Sequence, residues 1–174
     1  MYKNWQFWVV GSFTGFFGGL ITFLLLFLIN LLVVKEYSYL YLAAYLAPGF
    51  FYWLASTRLR DRYNEGILGF GNSFRMSILT GFVLTVVMSM AVYLIYEYLN
   101  NPTLEFRVNR IETEMIAESA QSGLEQINSN RLYVRELMTP KYLAILHATV
   151  NLALLPVYAF FIGTFARRKN RYLD

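Results

Sequence analysis

The sequence predicts an all-α polytopic membrane protein: four transmembrane helices, with a helical extracytoplasmic segment between the third and the fourth. Two observations predict it. Four long stretches contain no charged residue: between Lys3 and Lys35, Glu36 and Arg58, Arg75 and Glu97, and Lys141 and Arg167. Each holds at least 20 residues, mostly Leu, Phe, Val, Ile, Ala, Gly and Tyr. A helix needs roughly 20 apolar residues to cross a hydrocarbon core of about 30 Å. The runs also lack the alternation of barrel strands, and only helices and closed barrels satisfy their backbones in lipid. With 57% hydrophobic and 15% charged residues, the composition agrees. Four spans and one sizeable loop consume nearly all 174 residues, so one domain is expected.

The spans are placed at about 7–34, 37–57, 76–96 and 142–166, with a cytoplasmic loop at 58–75 and the outer segment at 98–140. The first run is far longer than the 7–15 residues or so of a signal-peptide core and ends in no small-x-small cleavage pattern, so it reads as a retained helix. From Phe7 to Val34 it would measure about 42 Å and must tilt or project. Gly11, Gly15 and Gly19 repeat in it at every fourth position, as Ser73, Ser77, Gly81, Thr85 and Ser89 do in and just before the third span. Small residues let helix backbones approach, where lipid gives no hydrophobic drive for association. The stripes therefore predict either packing of the first helix on the third or a seam in a homo-oligomer. Pro48-Gly49 and Pro156 predict kinks, read as static features of a packed bundle rather than transporter hinges.

In the outer segment, Asn101-Pro102 has the form of a helix start, with Asn as cap and Pro at the first helical position. Leu104, Val108, Ile111 and Met115 then mark one face. Glu105, Glu112, Glu114 and Glu118 are assigned mostly to the others. Gly123 reads as a break, Asn128-Ser129-Asn130 as a turn, and Thr139-Pro140 as the cap of the last span.

With the N-terminus inside, the cytoplasmic segments collect 9 of the 15 basic residues and sum to +6, and the outer ones sum to −2. That is the positive-inside bias, and it makes both termini cytoplasmic. The overall charge of +4 then needs no nucleic-acid partner. Arg58, Arg60, Arg62 and Arg75 are expected at lipid headgroups. Trp5, Trp8 and Trp53 fall near the inner interface and Tyr37, Tyr39, Tyr93, Tyr96, Tyr98 and Tyr142 near the outer one, the depth such rings prefer.

The stretch Arg60-Asp61-Arg62-Tyr63-Asn64-Glu65-Gly66, with Phe70-Gly71 and Phe74, resembles the family catalogued as domain of unknown function 4199, small four-helix membrane proteins of Gram-negative bacteria. Tyr93, Tyr96, Asn101-Pro102 and the basic tail Ala166-Arg167-Arg168-Lys169 extend the resemblance over most of the chain. Gly69 and Asn72 depart from it, standing where a hydroxyl residue and a lysine are expected. The resemblance implies the four-span plan and an inner-membrane location, and it implies no activity.

Candidates for chemistry are few. His147 is the single histidine, one turn from Asn151, and Glu97 closes the third span at a similar depth. Such a cluster is either a proton- or substrate-sensing site or interhelical hydrogen bonding, and the second is expected. No acid lies within a span, which argues against a catalytic triad, an enzyme, or an ion-coupled transporter. The glycines after Arg62 lack phosphate-loop spacing, and zero cysteines exclude disulfides and thiolate metal sites. No cofactor or metal is expected. Two functions remain: a non-enzymatic accessory protein meeting a protein partner through 98–140, or a small oligomeric transporter or channel. Thr14, Thr22, Asn30, Ser77, Thr80 and Thr85 are the candidate polar lining for the second.

Overall fold

A computed structural model describes residues 4–32, 38–99, 101–118 and 132–167. Gly123 and the Asn128-Ser129-Asn130 turn lie outside them. Helices are α1 (Asn4–Leu32), α2 (Ser38–Tyr63), α3 (Phe70–Tyr98), α4 (Asn101–Glu118), the helical residues 132–137, here α5, and α6 (Pro140–Ala166). No strand occurs among the described residues.

Among the described residues, three helices are long and apolar enough to cross a membrane: Asn4–Ile29 of α1, α3 and α6. Each is free of the charges that would have to be carried into lipid, apart from Arg75 near the start of α3 and residues at the α3 and α6 ends. α2 has the length, but Tyr39, Tyr41, Tyr45, Tyr52, Trp53 and Pro48-Gly49 make its apolar part more polar than the other three.

The segment expected as a loop at 58–75 is mostly helix. α2 runs on to Tyr63 and α3 starts at Phe70, leaving six residues between them. Apolar length measures what lipid covers, not where hydrogen bonding stops. Arg60 and Arg62 in the last turn of α2 favour continuation, since cations stabilise a helix C-terminus. The turn itself closes with Gly66 N–H on the Arg60 carbonyl at 3.0 Å, which gives one of the terminal carbonyls of α2 a donor. Glu65 and Gly66 both have positive φ, 54° and 79°, and Asn64 Nδ2 donates to the Ile67 carbonyl. Part of the family-like stretch therefore encodes a helix stop.

By packing, the residues form two compact units, Met1–Met88 with Ala148–Asp174, and Ser89–His147. In the first, Phe51, Tyr52, Leu84 and Leu155 form one core cluster, and Val10, Ala55, Leu59, Leu68 and Met76 form another. Phe13, Phe16, Phe17, Leu20 and Leu24 of α1 stay exposed, the arrangement expected of a helix whose outer face meets hydrocarbon. In the second unit α4 begins three residues after Tyr98, the last helical residue of α3, and α5 leads into α6 through Met138 and Thr139.

Pro48 is fully buried within α2 and Pro156 is exposed within α6. Thr139 caps α6: its hydroxyl accepts from the Tyr142 N–H at 3.5 Å and its carbonyl from the Leu143 N–H at 3.0 Å.

Candidate functional site: the helix seams and the α4–α5 pair

The glycines of α1 lie against α3. A Cβ on Gly15 would come within 2.6 Å of the Thr80 carbonyl oxygen, and one on Gly19 within 2.8 Å of the Leu84 carbonyl oxygen. On Gly11 it would meet the Leu79 side chain. Backbone cannot yield as a side-chain tip can, so Gly15 and Gly19 set how close the two helices come. The α3 stripe is a separate surface. Gly81 faces Leu155 of α6 and the Tyr52 ring and hydroxyl of α2. Ser77 is fully buried, one turn from Gly81. The two stripes thus serve different neighbours, which spacing alone does not reveal.

Tyr158 of α6 donates to the Tyr45 carbonyl of α2 at 3.0 Å, and its ring meets Tyr52 edge-on at 6.0 Å between centroids. Thr14, Thr22, Tyr52, Ser77 and Thr85 are buried with no hydrogen-bond partner among the described residues. Thr80 Oγ1 points to Met76 Sδ at 3.7 Å. The side chain of Asn30 lies outside the described residues.

Of the expected polar cluster, Glu97 is exposed near the end of α3, His147 is half-buried, and Asn151 is buried with its amide on Met88 Sδ at 3.7 Å. Of the four arginines expected at headgroups, Arg62 and Arg75 are exposed and Arg58 is half-buried. Arg60 is committed otherwise: Nε and Nη2 bind Asp61 at 2.7 and 3.1 Å, and Nη1 donates to the Ala166 carbonyl at 3.1 Å. It closes the last turn of α6, whose terminal carbonyls have no donors of their own.

α4 begins at Asn101 and buries Leu104, with Val108 and Ile111 half-buried. The side chain of Met115 lies outside the described residues. Glu112, assigned mostly to the polar faces, is a correction: its side chain is 6% exposed. Positions 104, 108 and 112 repeat at i+4, so Glu112 shares the buried face. Arg135 of α5 receives it, Nε to Oε1 at 2.6 Å and Nη2 to Oε2 at 3.3 Å. That two-point bond, and the Glu112 charge behind it, raise the Arg135 pKa further above its ordinary range. The bidentate geometry fixes orientation as well as distance. Its sequence signal was a carboxylate in step with an apolar row.

Beside this pair lies a cleft of about 400 Å³ whose apolar wall is Leu104, Val108, Met138 and Pro140. Glu105, Asn109, Arg135 and Thr139 supply its polar rim. Among the described residues no group of three His, Asp or Glu side chains is placed to hold a metal.

The profile of the family described as Protein of unknown function (DUF4199) matches residues 10–168. No curated protein and no solved structure matches the chain.

Proposed function

The chain belongs to the DUF4199 family of proteins of unknown function, and on that premise we propose a four-span, non-enzymatic accessory or assembly protein of the bacterial inner membrane. Both termini are cytoplasmic, and α4 and α5 meet a protein partner on the outer side. One observation carries this reading. Phe106 of α4 and Leu132 and Tyr133 of α5 are 68%, 70% and 68% exposed, on helices too polar or too short to span. Exposed large apolar side chains outside the lipid-covered part are what a partner surface requires. The Glu112–Arg135 bond holds the two helices together, so the surface needs little ordering on binding.

α2 is the fourth span in this reading. Its charge-free stretch between Glu36 and Arg58 reaches the necessary length, and the cores it shares with α1, α3 and α6 support its place in the bundle.

The test is purification in mild detergent, with mass and partner identification, beside Phe106→Ser with Tyr133→Ser. A stoichiometric partner lost in the double variant supports the proposal. A partner that stays bound to the variant, or a chain that runs alone, would sink it.

The buried hydroxyls of Thr14, Thr22, Ser77 and Thr85 favour a second reading, a small oligomeric transporter or channel, because polar side chains at depth often line pathways. Solute flux into proteoliposomes that falls in Ser77→Ala with Thr85→Val would promote it.

A further inference from the structure

We propose that the cleft beside the α4–α5 pair binds the headgroup of an ethanolamine-type phospholipid, phosphate at Arg135 and primary ammonium at Glu105. The inference rests on reading α6 as a span. Pro140 is both the first residue of α6 and part of the cleft wall, so the cleft sits where the chain enters the bilayer. Lipid headgroups are the charged molecules most concentrated at that depth.

The lining selects among headgroups. Two of the five N–H groups of Arg135 go to Glu112, and the guanidinium keeps further donors for a phosphate oxygen. Its side chain is 59% exposed, so those donors are reachable. Glu105 is exposed on the same cleft and accepts from a primary ammonium. A quaternary choline headgroup has no N–H to give it. A glycerol headgroup has no cation, and its net negative charge meets Glu105 and Glu112 as well as Arg135. One cation and one anion on a single cleft therefore match a zwitterion that carries donors on its positive end. Leu104, Val108, Met138 and Pro140 suit the glycerol backbone and upper acyl chain, and about 400 Å³ is within the usual range for a small-molecule site.

The experiment is native mass spectrometry of the detergent-purified full chain with ethanolamine, choline and glycerol phospholipids of identical acyl chains. The wild type should retain the ethanolamine lipid several-fold above the others. Glu105→Gln, at an exposed position, should keep its helix content and lose the advantage over the choline lipid. Asn109→Trp, which crowds the rim, should lower retention of the ethanolamine lipid. Equal retention of the three lipids by the wild type, or an unchanged preference in Glu105→Gln, overturns the proposal. Displacement by equimolar water-soluble glycerophosphoethanolamine overturns the lipid assignment in favour of a soluble ligand. Carbonate washing separates the two levels. A protein stripped from membranes refutes the spans, and a resistant protein without headgroup preference refutes the cleft alone.

Discussion

The Tyr158 hydroxyl of α6 donates to the Tyr45 carbonyl of α2 at 3.0 Å, three residues before the buried Pro48. A proline ring crowds the turn that precedes it and removes one donor from the ladder. Tyr45 lies in that turn, and the second helix supplies a hydroxyl to it. Tyr158→Phe keeps the ring against Tyr52 and removes the bond. It should lower stability in detergent by about 1 kcal/mol, the scale of interhelical hydrogen bonds in membranes. Unchanged thermal unfolding would show that the turn at Pro48 does not depend on it.

Gly15 gives a sharper test of packing. Gly15→Leu should cost more than about 1 kcal/mol, because the obstacle is the Thr80 backbone and the helices must part. Gly71→Ala is the control: its added Cβ meets nothing within 4 Å. Thermal unfolding and oligomer mass of the two variants decide the matter. Equal stability of both would mean that α1 does not sit in this seam.

Arg135→Ala removes the guanidinium from a buried carboxylate. Amide hydrogen exchange over residues 104–114 should quicken markedly, and Arg135→Lys should fall between, since an ammonium cannot make the two-point bond. The pH response follows from the raised Arg135 pKa. A cation whose pKa rises on folding contributes fully below its unfolded value and loses the contribution only above it. Protection should hence stay level between about pH 7 and 10. A loss of protection within that window would place another titrating group in control.

Single cysteines in the cysteine-free chain report sidedness. With Glu65→Cys and Glu136→Cys, both at exposed positions, an impermeant thiol reagent applied outside intact cells should label position 136 and spare 65. The reverse pattern would invert the proposed topology.

His147→Gln keeps a polar side chain of similar reach and removes the titration. Stability and any cellular phenotype should stay near wild type between about pH 6 and 8, where an unperturbed imidazole changes charge. A deletion-like phenotype with a folded, abundant protein would promote the transporter reading.

Absence of charge made α1, α3 and α6 legible, because a long uncharged run has few other uses. The start of α4 was legible in Asn101-Pro102, and that of α6 in Thr139-Pro140. The extent of α2 beyond Arg58 was not, since helical hydrogen bonding continues where apolar composition ends. Glu112 was missed for a related reason: a lone carboxylate reads as solvated until its Arg135 partner, 23 residues away, is placed beside it. The bond of Arg60 to the Ala166 carbonyl of α6, 106 residues on, was likewise illegible in the local pattern. The Gly81 stripe showed that a neighbour comes close without saying that the neighbours are Tyr52 and Leu155. Local pattern records what a residue tolerates, and the identity of its distant partner is written elsewhere in the chain.

The glycine face of α1 also sets a timetable. Thr80 leaves the ribosome roughly 65 residues after Gly15, about 3–13 s later at ordinary synthesis rates. Until then the first helix has a notch and nothing to fill it. Only α2, which shares the cluster of Val10, Ala55 and Leu59 with it, is made early enough to pack on it first, and the third helix completes an assembly that the first begins.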